Sequence, residues 1–296
     1  MTLPPVSQVL PIGLAFIMLY LGLTLQVEDF RRVLQRPRAL LGGLVGQVLL
    51  VPALGLLVAS LTRLDPLMAV GMMVLVACPG GVSSGLLTHL ARGDVALSIS
   101  LTAVTSVAAV FTLPLVVNLS MQHFMSHAGS VEFPLANMVR SIFMLTTVPV
   151  LMGMALRAWH PTRVTRLLPL TGRIATGLFV LIVLGTFWDQ RHTLFEHLPT
   201  LGPASLLLNL LILLGAWGLG HQFDLQKRDR IAVVTECGLQ NSALGIYVCV
   251  ELLHSASMSV PSVIYALLMN GGALIFVLLM RLSLAPTAPT CPGARP

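Results

Sequence analysis

Residues 234–242 read VTECGLQNS and interrupt an apolar run with one carboxylate, two amides and a glycine. A second apolar run is interrupted at residues 77–85, which read ACPGGVSSG and supply a proline, three glycines and two serines. Backbone N–H and C=O groups without a partner in hydrocarbon cost several kcal/mol each, so such breaks persist only where protein or a wet cavity satisfies them. Both segments are therefore expected to face the interior of a helical membrane protein, where they could meet.

The composition of the whole chain agrees with a membrane location. Of its 296 residues, 56% are apolar and 9% are charged, whereas a soluble domain has about 25% charged residues. The formal net charge is +6, but the basic residues form short clusters between apolar runs rather than the continuous basic face that binds nucleic acid. No nucleic-acid partner is expected. The four cysteines lack metal-binding spacing, and three of them lie in apolar runs, so free buried thiols are predicted.

Apolar runs bounded by charges or turn-forming residues predict nine transmembrane helices. An all-α integral membrane protein is therefore expected, forming one transmembrane unit over residues 1–296. Its first half covers about residues 6–118, its second half about 136–284, and residues 285–296 form a disordered C-terminal tail. The nine predicted spans are residues 6–25, 39–61, 66–89, 94–118, 136–157, 167–188, 201–221, 230–252 and 260–284.

The distribution of basic residues predicts the orientation, because cytoplasmic loops collect lysine and arginine. With the N-terminus outside, fourteen of the 17 basic residues fall on the inner side. Arg63 and Arg191 fall on the outer side, and Arg140 falls within a span near its outer end. The N-terminus is therefore predicted to be outside and the C-terminus cytoplasmic, in a multi-pass protein of the inner cell membrane.

The two breaks occupy corresponding spans if the chain contains two five-helix repeats of opposite orientation and lacks the first helix of the first repeat. The third and eighth spans are then the fourth helix of each half. Paired interrupted helices in corresponding positions indicate the binding site of a secondary transporter. The sequence thus predicts an inverted-repeat transporter whose site lies between the breaks.

Glu236 is the most informative single residue, because an ionisable side chain in the middle of a span is costly and usually functional. A structural alternative is a protonated glutamate that is hydrogen-bonded to a neighbouring helix. The adjacent Gly238, Gln240 and Asn241 favour a functional role, since an unwound segment frees carbonyl oxygens beside the carboxylate. Oxygen ligands of this kind suit a small hard cation such as Na⁺. Proton coupling through the same carboxylate is the alternative within transport.

Hydroxyl groups accompany the other break. Ser83 and Ser84 lie in it, and Ser98 and Thr102 lie four residues apart, on one face of the next predicted helix. Serine and threonine also serve as helix-packing residues in membranes, which is the structural alternative. Gln47, in the second span, is a further polar residue whose alternative role is a hydrogen bond between helices.

One catalytic pattern occurs in the first break, where residues 81–85 read GVSSG. This matches the nucleophile elbow of hydrolases, G-x-S-x-G. That elbow requires a strand before the serine and acidic and histidine partners after it, whereas this segment lies within an apolar helical run. An enzyme is therefore not expected.

Four motifs occur in the same order as in a known family. They are LGLTL at 21–25 followed by DF at 29–30, CPGG at 78–81, LARGDVALS at 90–98 and ECGLQNS at 236–242. They resemble the motifs of the bile acid:sodium symporter (BASS) family, and the resemblance covers residues 10–280. The chain is most similar in organisation to the bacterial nine-helix members.

The resemblance implies a panel domain and a core domain, with the discontinuous third and eighth spans crossing near mid-membrane. It also implies two Na⁺ sites that share Glu236. The first implied site consists of Ser84, Ser98, Thr102 and Glu236, and the second of Gln47, Glu236, Cys237, Leu239 and Gln240, with Cys237 and Leu239 acting through their carbonyl oxygens. Substrate-binding positions implied by the same resemblance are Asn241, Asn270 and Ser83.

Gly85 departs from the family pattern, which often has an asparagine at that position. The first implied site thereby loses a side-chain oxygen, so the coupling stoichiometry is expected to be one or two Na⁺ ions. The family also includes ten-helix members, and this chain lacks room for their first helix. That helix belongs to neither crossing segment.

The function expected from these observations is Na⁺-coupled symport of an organic anion into the cytoplasm by alternating access. The anion classes that fit are bile-acid-like molecules, keto acids, pantothenate-like acids and sulfonates. A proton-coupled anion carrier is one alternative, and a membrane sensor or enzyme on the same scaffold is another. The expected partners are the small organic anion, Na⁺ and the lipid bilayer, with no obligate protein partner.

Overall fold

The computed structural model describes residues 6–81, 83–125 and 135–282. Within these ranges the regular structure is helical, and no strand is present. The predicted C-terminal tail and Cys291 lie outside the described residues. The helices are α1 Val6–Thr24, α2 Val27–Leu34, α3 Pro37–Val45, α4 Val51–Leu61, α5 Pro66–Ala77, α6 Ser84–Leu90, α7 Val95–Phe124, α8 Leu135–Ile142, α9 Val148–Trp159, α10 Pro161–Asp189, α11 Arg191–Gln222, α12 Lys227–Gly238, α13 Ser242–Tyr247 and α14 Val260–Leu282.

Short irregular helical turns connect some of these helices. A π-helical turn joins α3 to α4, a second joins α8 to α9, and a third follows α13. A 3₁₀ turn precedes α14. The three π turns are Gly46–Leu50, Phe143–Thr147 and Val248–Leu252, and the 3₁₀ turn is Ala256–Ser259.

Within the described residues, six continuous helical segments are long and apolar enough to cross a membrane, which confirms the predicted class of all-helical membrane protein. Three shorter apolar helices, Leu10–Thr24, Pro66–Ala77 and Ser242–Leu252, accompany them in the described part of the chain. The six long segments are Pro37–Leu61, Val95–Phe124, Ala136–Trp159, Pro161–Asp189, Arg191–Gln222 and Ala256–Leu282.

Two connections differ from those predicted. The loop expected around residues 189–200 is helical, because only Gln190 separates α10 from α11. The segment between the first two spans also contains α2, a short helix whose start is capped by Asp29 accepting from the Gln26 N–H. Hydropathy locates the hydrocarbon-buried part of a helix, so it missed polar helical turns whose side chains water can satisfy.

The helices pack in two groups. In the first group, α1 runs along α9 and α10. Small residues allow close approach here, because Gly22 meets the backbone of Val150 and Gly153 meets the Leu19 carbonyl. The second group comprises α3 to α7 and α11 to α14, with α11 packed on α12 and α14, and α5 on α7. The groups meet where α7, α13 and α14 contact α8, α1 and α10.

The two predicted breaks are present and lie against each other. The helix ends at Ala77 and resumes at Ser84 in one chain segment, and ends at Gly238 and resumes at Ser242 in the other. An antiparallel bridge joins Gly80 to Gln240. The Gly81 N–H donates to the Leu239 carbonyl at 2.6 Å, and the Asn241 N–H donates to the Pro79 carbonyl at 2.9 Å. Backbone groups released by each break are thus satisfied by the other break, as burial in an apolar environment requires.

Candidate ion-binding site

Glu236 lies in the last turn of α12 and is fully buried. Its Oε2 atom accepts a hydrogen bond from the Thr102 hydroxyl at 2.8 Å. Its Oε1 atom is also buried and has no hydrogen-bond partner among the described residues. Gly80 packs directly on this carboxylate, and a Cβ atom at that position would overlap it. The carboxylate therefore has one oxygen available to a ligand. Position 80 must be glycine, because any side chain there would overlap the carboxylate.

Three hydroxyl groups surround the carboxylate. Ser84 begins α6, while Ser98 and Thr102 lie on one face of α7, and all three are buried. The Ser84 Oγ atom is 3.4 Å from both the Thr102 Oγ1 and the Ser98 Oγ atoms. Hydroxyl hydrogen bonds are usually about 2.7–2.8 Å long, so these oxygens are grouped without being tightly bonded. The structure thus brings together the four residues predicted for the first site, which we call the hydroxyl–carboxylate cluster.

The residues predicted for the second site also meet, but they are bonded to one another. Gln47 lies in the π turn between α3 and α4, and its Nε2 atom donates to the Cys78 carbonyl at 2.6 Å and to Gln240 Oε1 at 2.9 Å. The Gln240 Nε2 atom donates to the Cys237 carbonyl at 2.6 Å. The Leu239 carbonyl is already the acceptor of the bond from Gly81. Only Gln47 Oε1 is buried without a partner in this group, which we call the amide cluster.

The three predicted substrate positions are placed differently from one another. Asn241 is buried and caps α13, its Oδ1 accepting from the Leu244 N–H at 3.1 Å. Ser83 is partly exposed beside Ser84. Asn270 donates to the Ala266 carbonyl within α14 at 3.1 Å, and no hydrogen bond joins it to the break residues in the described ranges.

Asn209 and Tyr265 support the break and were missed by the sequence analysis. The Tyr265 hydroxyl donates to the Gly238 carbonyl at 3.0 Å, and the Asn209 Nδ2 atom lies 3.2 Å from the same oxygen. Gly272 makes room for the Asn209 side chain. Two buried donors therefore satisfy a carbonyl that the end of α12 leaves free. The available signal was a lone asparagine within the apolar run LLLNLLILL at residues 206–214.

The half-helices α6 and α12 are also linked to each other. The Thr88 and Thr235 hydroxyls are hydrogen-bonded. Further along, the Arg36 guanidinium donates to Asp94 at 2.7 Å and to Asp229 at 3.1 Å. Burial raises the pKa of the Asp229 carboxyl, and the Arg36 charge opposes that rise. We call the end of the molecule that carries this ion-pair network the basic end.

The ligand atoms at the breaks are hydroxyl, carboxylate, amide and carbonyl oxygens. Across the described residues, no group of three or more histidine, cysteine, aspartate or glutamate side chains is placed to hold a metal ion. Oxygen donors with a single carboxylate fit a small hard cation of low charge better than a transition metal. The residues present therefore fit an alkali cation such as Na⁺.

Comparison with known proteins agrees with this chemistry. The model of the "Sodium Bile acid symporter family" matches residues 11–197. "Probable sodium/metabolite cotransporter BASS2, chloroplastic" of Oryza sativa subsp. japonica is 30% identical over 271 residues, covering 90% of this chain and 62% of that protein. "Uncharacterized sodium-dependent transporter YocS" of Bacillus subtilis (strain 168) is 27% identical over 270 residues, covering 90% of this chain and 80% of that protein.

A relative that matches a shorter part of this chain is the human "Ileal sodium/bile acid cotransporter", which is 28% identical over 177 residues, covering 60% of this chain and 50% of that protein. The chain thus spans about three fifths of the plant relative and half of this human one. The helices of membrane-spanning length and these relatives together identify a multi-pass membrane protein. Because the family model covers more than half of the sequence, this chain belongs to the sodium bile acid symporter family.

Proposed function

We propose that this protein is a secondary transporter, and not an enzyme, which couples Na⁺ to the uptake of an organic anion into the cytoplasm. The observation that carries the proposal is the buried Glu236 carboxylate, which keeps one oxygen free beside three hydroxyl groups where two helix breaks meet. The family match and the sodium-dependent relatives support the choice of ion. Glu236 is the residue through which the ion and the two breaks are linked.

In this proposal one Na⁺ binds the hydroxyl–carboxylate cluster and neutralises Glu236. A second ion at the amide cluster requires Gln47 and Gln240 to rotate, because their NH₂ groups are hydrogen-bonded to Gln240 Oε1 and to the Cys237 carbonyl, two of the oxygens that would otherwise bind it. Gly85 contributes no side-chain oxygen, and a Cβ atom there would lie 3.2 Å from the Ile99 side chain. The first ion is therefore coordinated without a side-chain ligand from position 85.

The proposed architecture has nine spans in two inverted halves, with the N-terminus outside and the basic end in the cytoplasm. The first helix group (α1, α8, α9 and α10) is the panel, and the second is the core. Relative motion of panel and core then exposes the break region to one side of the membrane at a time. The anion binds beside the bound Na⁺, near Asn241, Ser83 and Asn270, and can be bile-acid-like, a keto acid, pantothenate-like or a sulfonate.

The number of coupled ions determines the driving force. A tenfold Na⁺ gradient supplies about 1.4 kcal/mol per ion, and each net charge that crosses 100 mV adds about 2.3 kcal/mol. One Na⁺ with one monoanion makes a neutral cycle that responds only to the chemical gradient. Two Na⁺ ions with one monoanion make the cycle electrogenic. Uptake that responds to an imposed voltage would therefore indicate two coupled ions, and uptake that does not respond would indicate one.

The test is uptake of labelled taurocholate, pantothenate and pyruvate into proteoliposomes that contain Glu236→Gln. Na⁺-dependent uptake is expected to be lost, while the protein still inserts and elutes as a folded species in size-exclusion chromatography. Glu196→Gln, at an exposed glutamate on α11, is the matched control and should transport normally. Full uptake by Glu236→Gln would overturn the role of this carboxylate.

The same liposomes separate the alternatives. Replacing Na⁺ with choline at fixed pH should stop uptake by a Na⁺ carrier and leave uptake by a proton-coupled carrier unchanged. A sensor or an enzyme on this scaffold would show binding or turnover of these anions without net flux.

A further inference from the structure

We propose a separate binding site for the anionic group of an organic anion, centred on Arg140 at the outer end of the boundary between panel and core. It lies in an open surface groove of about 370 Å³, and several of the side chains that line this groove are exposed. The proposal rests on the transport function and the orientation given above. The groove is lined by Asn137, Arg140, Ser141, Met144, Leu145 and Tyr247.

The Arg140 side chain is exposed and unpaired within the described part of the chain. Its guanidinium makes no hydrogen bond, ion pair or ring contact with any residue that the structure describes. Arg191, which the sequence also places on the outer side, is satisfied locally, since it donates to the Trp188 carbonyl at 2.8 Å and lies over the Trp188 ring. Arg140 therefore keeps its planar set of donors available, and these match a carboxylate or sulfonate.

The side chains next to Arg140 are arranged by polarity along the chain. Three residues follow Asn137 on the same helix face, because they lie three, four and seven positions after it. They are Arg140, Ser141 and Met144. The polar groups come first along this face, and the apolar Met144 and Leu145 follow toward the membrane interior. Such a surface matches an amphipathic anion whose charged group points outward and whose apolar part points inward.

Tyr247 connects the groove at Arg140 to the ion site. Tyr247 forms the core side of the groove and ends α13, whose first residue, Ser242, adjoins the break. Five residues of helix span about 8 Å. An anion at Arg140 therefore lies a short distance outward from the proposed Na⁺, between the panel residue Arg140 and the core residue Tyr247. It would be captured there before translocation.

The experiment measures anion binding to the purified protein as a thermal shift, with taurocholate below its micellar concentration, pantothenate or pyruvate as the probe, in Na⁺ and in choline. Loss of a charge-assisted hydrogen bond predicts that Arg140→Gln weakens binding of the stabilising anion about 10- to 100-fold. Arg140→Lys should retain part of the affinity, and Arg191→Gln should bind like the wild type. Equal binding by the wild type and Arg140→Gln, or no shift of the wild type with any of the three anions, would overturn the site.

A Glu251 variant tests the alternative that Arg140 forms an ion pair that closes the outer side, rather than an anion-binding site. This carboxylate lies four residues beyond Tyr247, and its Oε1 atom is buried without a partner among the described residues. If Arg140 serves only to pair with Glu251 when the outer side closes, Glu251→Gln would impair transport as Arg140→Gln does. An anion site predicts that Glu251→Gln leaves anion binding unchanged or strengthens it. Failure of the transport proposal is recognised separately, as absence of Na⁺-dependent flux in the wild type despite normal anion binding.

Discussion

The hydroxyl–carboxylate cluster and the amide cluster both lie at the paired helix breaks, yet their polar atoms are hydrogen-bonded to different extents. In the first cluster, the serine and threonine oxygens are 3.4 Å apart and Glu236 Oε1 has no partner among the described residues. In the second, three hydrogen bonds of 2.6–2.9 Å connect Gln47 and Gln240 to each other and to carbonyl oxygens.

This difference follows from the chemistry of the side chains. A carboxylate only accepts hydrogen bonds, so it needs donors or a cation, whereas an amide carries both donors and acceptors and can satisfy its neighbours without an ion. In our proposal the hydroxyl–carboxylate cluster can therefore bind a cation without breaking hydrogen bonds of its own. The amide cluster must first break its own hydrogen bonds.

The largest expected effect comes from the glycines of the first break. Gly80→Ala should abolish Na⁺-dependent stabilisation and uptake, because its Cβ atom would overlap the Glu236 carboxylate. Gly81→Ala meets only the Gln240 and Leu239 carbonyls, at 3.1 and 3.3 Å, and should slow uptake while keeping its Na⁺ dependence. Gly177→Ala has open space around it and is the control. The measurements are thermal shift with Na⁺ and liposome uptake, and equal losses in the first two variants would contradict the distinction between the clusters.

A smaller effect is expected when each cluster loses one polar group. Thr102→Val removes the donor to Glu236 and should raise the Na⁺ concentration for half-maximal stabilisation about 10- to 100-fold. Gln47→Leu should lower the melting temperature without Na⁺, because it removes donors from buried acceptors, and should change the half-maximal Na⁺ concentration less than Thr102→Val. Thr176→Val, at an exposed threonine that bonds within α10, is the control. A larger Na⁺ effect from Gln47→Leu would reverse the comparison.

The smallest effect concerns pH and should leave both clusters unchanged. Burial raises the pKa of Asp229 above the usual aspartate value, so protonation favours the folded state. This stabilisation is present below the ordinary aspartate pKa and is lost as the pH rises through the raised one. Asp229→Asn should flatten that part of a melting-temperature profile against pH while leaving Na⁺ affinity unaltered.

The control for Asp229 is Asp224→Asn at the same basic end. Asp224 is exposed and lies 3.5 Å from Arg38, so its replacement should keep the wild-type pH profile. An unchanged profile in Asp229→Asn would show that this carboxyl does not contribute. A change in Na⁺ affinity would show that the basic end is coupled to the clusters.

Much of the fold was predictable because the membrane simplifies the physics. Long apolar runs had to be helical, and Pro79 with Gly80 and Gly81 could only interrupt a helix there. The same constraint identified Glu236 as a buried functional candidate. Hydropathy could not find α2 or the helical turns from Arg191 to Thr200, whose polar side chains do not register as membrane-buried.

The residues of the candidate site were predictable from the sequence, but the hydrogen bonds among them were not. Ser84, Ser98, Thr102 and Glu236 do converge, yet which amide of Gln47 or Gln240 donates depends on side-chain orientation, which the sequence does not encode locally. Asn209 and Tyr265 were missed for a related reason. Their role depends on the distant Gly238 carbonyl, which becomes free only because α12 ends there.

The pairing of the two breaks also affects how the chain is made. The Gly81 N–H can donate to the Leu239 carbonyl only after Leu239, 158 residues later in the sequence, has been synthesised. At a synthesis rate of about 5–20 residues per second, the first break spends roughly 8–30 s without its partner. During that interval the backbone groups of the first break lack the partners that satisfy them in the folded protein. We therefore expect the first break to reach its final structure only after residue 239 has been translated.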